Sequence, residues 1–90
     1  MQISHEELEA MEPVDAACTD SALIVTLAHG QKIVTPFWWY PRLLGAKASQ
    51  RANYELSPLG VHWPDVDEDL SLEGMLRGAK APGAKQPAPT

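Results

Sequence analysis

Leu23-Ile24-Val25-Thr26-Leu27-Ala28-His29-Gly30-Gln31-Lys32-Ile33-Val34-Thr35 is the stretch on which the fold turns. Five β-branched or apolar residues lead into Ala28-His29-Gly30, and β character resumes at Lys32. Branched side chains suit the pleated surface of a strand, and glycine supplies the positive φ that a tight loop between strands needs. The spacing predicts a β-hairpin, 23–27 against 32–35. Upstream, 14–20 reads as a further strand. Downstream, Pro36 closes the hairpin's second arm because it has no amide to give to a ladder.

Past the hairpin the pattern turns helical. Phe37-Trp38-Trp39-Tyr40 runs into Pro41, which a helix accepts only in its first turn, so a short helix through Arg42-Leu43-Leu44 is expected to stop at Gly45. A second helix is expected over 49–56, a turn at Ser57-Pro58-Leu59-Gly60, a short strand at 61–63, and a last helix over 72–76 capped by Ser71. Ser4-His5-Glu6-Glu7 fits a capping box ahead of one more short helix that Pro13 ends. The fold class is α+β: a small antiparallel sheet of three to four strands, hairpin included, with short helices on one face.

The chain has 90 residues, 44% hydrophobic and 21% charged, which suits one small folded domain and no more. From Gly78 onward proline, glycine, alanine and lysine dominate with no larger apolar side chain, so 1–77 is expected to fold and 78–90 to be a disordered tail. No internal repeat is expected. The net charge of −5 is segregated. Residues 1–20 hold six acids and no base, 21–54 only Lys32, Arg42, Lys47 and Arg51, 55–76 six acids, and the tail Arg77, Lys80 and Lys85. The blocks either face one another across the folded surface or form an acidic rim that repels nucleic acid and steers a basic partner protein. No stretch has the ~20 apolar residues of a membrane span, and the N-terminus lacks the pattern of a secretory leader, so a cytoplasmic protein is expected.

Chemistry-bearing patterns are sparse. Asp65-Val66-Asp67-Glu68-Asp69 offers alternate carboxylates, yet Leu70 stands where a calcium loop needs glycine and Leu76 where it needs glutamate, so no metal site is assigned. Those acids either favour the positive end of the last helix or form an acidic docking patch. Cys18 has no histidine near it in sequence, His5 and His29 fall in a helix and a turn, and no nucleophile-elbow, metalloprotease or phosphate-loop motif occurs. The chain is therefore expected not to be an enzyme and to need no cofactor. Four consecutive aromatics cannot all face one core, so some of Phe37, Trp38, Trp39 and Tyr40 should meet solvent or a partner. The interaction surface expected from these patterns comprises Trp38, Trp39, Tyr40, Arg42, Arg51, His62, Asp65, Asp67, Glu68 and Asp69.

Pro41-Arg42-Leu43-Leu44, Gln50-Arg51-Ala52-Asn53-Tyr54-Glu55-Leu56 and His62-Trp63-Pro64-Asp65-Val66-Asp67-Glu68-Asp69-Leu70-Ser71-Leu72-Glu73-Gly74 together resemble a family of small bacterial proteins, the domain of unknown function numbered twenty-four forty-two. The resemblance implies a compact α+β domain, in some members followed by a helix-turn-helix module, and encoded beside a second small protein in a toxin–antitoxin-like pair. Here nothing after Gly78 can form a DNA-reading module. Two functional readings follow. One is a non-catalytic interaction domain, antitoxin-like, that binds a small toxin-like partner protein, forms a homodimer and does not touch nucleic acid or membrane directly. The other is a small-ligand-binding or transcription-linked sensor in which Trp38, Trp39, His62 and Trp63 line a pocket.

Overall fold

A computed structural model describes residues 11–86. The capping box at Ser4–Glu7 and its helix lie outside the described residues. The expected hairpin is present: β2 (Ala22–Leu27) pairs antiparallel with β3 (Lys32–Pro36), Ile24 opposite Val34 and Val25 opposite Ile33. Gly30 takes φ +104 at the tip, where a side chain would be strained. Along β2 the period of two decides burial, with Leu23, Val25 and Leu27 inside and Ala22, Ile24 and Thr26 half-buried on the other face. β1 (Pro13–Cys18) joins the free side of β2 and completes a three-stranded sheet in the order β1-β2-β3. Its register slips at Val14, a bulge that leaves this side chain exposed. The two edge strands begin and end in proline, Pro13 and Pro36, which blunts pairing with other chains.

The aromatic run forms a 3₁₀ turn (Phe37–Trp39), and α1 (Pro41–Leu44) follows with proline at its start and Gly45 at its end, as expected. The second helix, α2, is shorter than expected. It spans Ala48–Ala52, with the Lys47 amide donating to the Gln50 side-chain oxygen at 2.9 Å. The residues expected to complete it become β4 (Glu55–Ser57), because pairing with β5 (Gly60–Trp63) across the Pro58-Leu59 turn outweighs local helix preference.

A second difference lies in the acidic stretch. Asp67 adopts φ 52, a region that aspartate tolerates better than most residues, and the turn it makes folds Glu68–Ser71 back as β6 against β5. Glu68 and Asp69 are thus strand residues, not decoration of the last helix. Only Glu73 stands in the first turn of α3 (Leu72–Arg77), which Ser71 caps by accepting from the Gly74 amide at 2.9 Å. The single expected sheet is therefore two antiparallel three-stranded sheets, the second in the order β4-β5-β6, with short helices between and after them; the α+β class stands.

One core joins both sheets. Trp63 and Phe37 are its largest fully buried side chains, packed with Leu23, Val25, Leu27, Leu43 and Val61. Such side chains are worth ~1.5–3 kcal/mol each on burial.

Candidate functional site

The ten expected surface residues separate into structural ties and a smaller exposed group. Arg51, half-buried on α2, donates from Nε to Leu43 O at 2.9 Å and from Nη2 to Leu44 O at 2.8 Å, and its guanidinium stacks 4.3 Å above the Phe37 ring. Its own carbonyl accepts from the Trp63 indole at 3.0 Å. Arginine's planar fork suits this double carbonyl contact, which satisfies acceptors that α1 leaves at its C-terminal end. Arg42 donates to Asp67 O at 2.6 Å, and Asp65 accepts from the Asn53 amide at 3.0 Å. Arg42, Arg51 and Asp65 therefore brace the molecule itself.

Tyr40 also departs from expectation. It is 2% exposed, because it follows the 3₁₀ turn with its ring pointing into the core. Its hydroxyl and that of Thr35 are buried without a hydrogen-bond partner among the described residues. Burial pushes the phenol up from its ordinary range. The nearby Thr35 hydroxyl works against this without forming a well-aligned bond, and the Glu68 carboxylate adds to the rise.

Trp38, Trp39, His62, Asp67, Glu68 and Asp69 remain at or near the surface. Trp38 and Trp39 meet edge to face, 6.3 Å between ring centroids, and both are half-buried. On the second sheet His62 stands between two carboxylates, with Glu55 opposite on β4 and Asp69 opposite on β6. Glu55 was absent from the expected surface, since it was expected in the second helix and only pairing of β4 with β5 brings it to His62. No group of three or more His, Cys, Asp or Glu side chains that could hold a metal ion occurs among the described residues.

Two cavities lie elsewhere than the sensor reading placed its pocket. One, about 330 Å³, runs between β1 and α2 and is lined by Ala16, Cys18, Asp20, Ala48, Arg51 and Tyr54 among others. Partial burial pushes the Cys18 thiol up, and the Arg51 charge opposes this. The second, about 260 Å³, lies between β6, the start of α3 and the chain beyond it. Neither of these two cavities touches Trp38, Trp39, His62 or Trp63, and Trp63 is fully buried.

The chain after α3 begins at Gly78, in the left-handed region at φ 73, and runs back over the aromatic turn. The Ala79 amide donates to Gly74 O at 2.9 Å, the Ala81 amide donates to Trp39 O at 2.9 Å, and Ala81 packs against the core. The Lys80 ammonium lies 4.6 Å from the Trp39 ring centroid and 5.8 Å from that of Trp38. The start of the expected tail thus follows the folded surface. Composition concealed this, because the anchors are two backbone amides, one lysine and the small Ala81 side chain rather than apolar bulk.

A short α+β domain with an aromatic turn and an acidic strand is what this geometry defines. The chain belongs to the family described as a protein of unknown function, DUF2442, whose model matches residues 14–81 and so takes in Lys80 and Ala81. Two solved structures share the fold. An uncharacterised protein from Chromobacterium violaceum, determined by solution NMR, is 24% identical with a TM-score of 0.68 over 92% of this chain and 91% of that one. A protein of unknown function from Rhodospirillum rubrum, determined by crystallography, is 28% identical with a TM-score of 0.68 over 81% of this chain and 93% of that one. Comparison with curated proteins gives no match. Among the described residues no helix is long and apolar enough to cross a membrane.

Proposed function

We propose that this chain is a non-catalytic protein-interaction domain that binds a small partner protein as the antitoxin-like half of a two-gene bacterial module. The observation that carries the reading is the half-buried, edge-to-face pair Trp38 and Trp39, with Lys80 over both rings and also at the wall of the cleft that holds Glu68 and Asp69. Tryptophan is enriched among residues that dominate binding energy, and acidic rims speed association with basic partners. Co-expression with the product of the adjacent small gene tests this. A stable complex is expected, and Trp38→Ala should weaken it at least ~30-fold, the weight of a ~2 kcal/mol hot spot, with the melting temperature unchanged. Failure of the pair to associate overturns the reading.

A homodimer belongs to the same proposal. The outer face of the first sheet sets Ile24 beside Val34, and Val34 is 60% exposed, an apolar surface that a symmetric contact would hide. Light scattering at micromolar concentration should return twice the monomer mass, and the monomer mass would refute it.

A further inference from the structure

Each sheet turns one face away from the core, and the two outer faces differ in kind. On the second sheet, strand pairing sets Glu55, His62 and Asp69 in one row across β4, β5 and β6, and Ser57, Gly60 and Ser71 in the next. On the first sheet the rows are Asp15, Thr26 and Lys32, then Ala17, Ile24 and Val34, across β1, β2 and β3. The row between them, Ala16, Val25 and Ile33, is buried, so alternation puts the other two on the opposite face. There Asp15, Ala17, Lys32 and Val34 are exposed and Ile24 is half-buried. The Tyr54 hydroxyl reaches Asp15 at 3.4 Å, a neutral contact that leaves the carboxylate charged.

Asp15 and Lys32 stand on the two edge strands with Thr26 between them. A two-fold axis that lies between two copies and runs parallel to β2 lays β1 of one copy over β3 of the other. Asp15 then faces Lys32 of the second copy, twice by symmetry, while Ala17 faces Val34 and Ile24 faces its own counterpart. Sheets packed face to face stand ~10 Å apart, a gap that an aspartate and a lysine side chain span together. An axis across the strands instead lays β1 over β1, and these opposite charges do not meet. On the second sheet an axis parallel to β5 sets Glu55 against Asp69, like charge on like, which disfavours that face. Edge pairing is blunted by Pro13 and Pro36.

We infer that the outer face of the first sheet is a self-complementary docking surface for a second copy of this chain, joined about an axis along β2 by two Asp15–Lys32 contacts that flank the Ala17, Ile24 and Val34 row. This rests on the homodimer reading above and gives that dimer its axis and register. It does not depend on the small partner protein.

The test uses the full chain as the parent, as Asp15→Lys and as Lys32→Asp, each followed by sedimentation equilibrium from micromolar to millimolar concentration. Either reversal turns two attractions into two repulsions, so each variant should dimerise about ten-fold more weakly than the parent. An equimolar mixture of the two should regain the parent's affinity, because every contact of the mixed dimer again joins opposite charges. Raised salt should weaken the parent and the mixed dimer alike. Circular dichroism and the indole signal of Trp63, bound to Arg51 O, report the fold. Where a reversal disturbs folding, the milder Asp15→Asn and Lys32→Gln serve, each with a few-fold weakening expected. Variants that dimerise as tightly as the parent, or a mixture no tighter than its components alone, overturn the inference and leave the homodimer reading standing. A parent that stays monomeric throughout overturns both.

Discussion

Gly60→Ala probes how closely the strands of the second sheet approach. Gly60 is buried in β5 opposite Ser71 and Ser57, and a Cβ added there would stand 2.0 Å from Leu70 O, 3.0 Å from Leu70 C and 3.1 Å from Ser71 Cα. All three are backbone atoms of β6, so no side-chain rotation relieves the clash. Overpacking a filled site costs ~1–3 kcal/mol. Retreat of β6 weakens one or two ladder hydrogen bonds at ~0.5–1.5 kcal/mol each, and the stiffer unfolded chain returns ~0.4–1 kcal/mol. The net loss is ~2–4 kcal/mol, comparable with the ~3–5 kcal/mol that one core supplies at this size. At ~4–8 °C per kcal/mol the midpoint should fall by roughly 10–25 °C, measured by thermal melts followed by circular dichroism. Gly45→Ala is the companion. At φ −85 its Cβ would meet only Pro41 O at 3.6 Å, so that variant should melt at or slightly above the parent. A Gly60→Ala protein melting within about 3 °C of the parent, under 1 kcal/mol for a domain of this size, would refute the packing argument.

Trp63→Ala empties a fully buried core position and leaves Arg51 O with only the long contact from the Cys18 thiol at 3.9 Å; a loss of ~3–5 kcal/mol is expected, and loss of the cooperative melt is the sign to seek. Arg51→Lys keeps the charge but not the fork that holds Leu43 O and Leu44 O, so urea titration should show ~1–3 kcal/mol of destabilisation rather than a neutral exchange. For Tyr40, burial raises the phenol above its ordinary value of 10.0, so the folded state holds that proton more tightly than the unfolded chain. The associated stability is present below pH 10 and lost as pH rises through the raised value. Tyr40→Phe should flatten the fall of melting temperature above pH 10, and an unchanged alkaline profile would count against it.

The hairpin, the aromatic turn into a proline-started helix, the Ser71 cap and the Ser57–Gly60 turn were all legible, because each is set by residues adjacent in sequence. β6 was not. Its acids look like the preface to a helix, and only the left-handed Asp67 together with pairing to β5 makes them a strand. The end of α2 was misjudged for the same reason, since Glu55 and Leu56 answer to Val61 and His62 rather than to Arg51 and Ala52. At the candidate site the residue types were visible but their employment was not. Arg51 and Asp65 look free in sequence, yet they are occupied by carbonyls and an amide several residues away. Lys80 was overlooked because an apolar inventory gives no weight to a cation resting on indoles.

The connection between the sheets also bears on the order in which the molecule assembles. Each sheet is a meander of strands consecutive in the chain, β1-β2-β3 and β4-β5-β6, so each can form through short loop closures that are kinetically cheap. The indole of Trp63 and the backbone of Arg51, by contrast, bring together α2 and the second sheet through a single bond at the centre of the shared core. Docking of the two meanders across the core they share is expected to be the late event on the folding path, with Trp63 as its probe. Stopped-flow chevrons for Trp63→Phe should show the unfolding limb accelerated and the folding limb barely moved, leaving a molecule whose halves still form promptly but part company sooner.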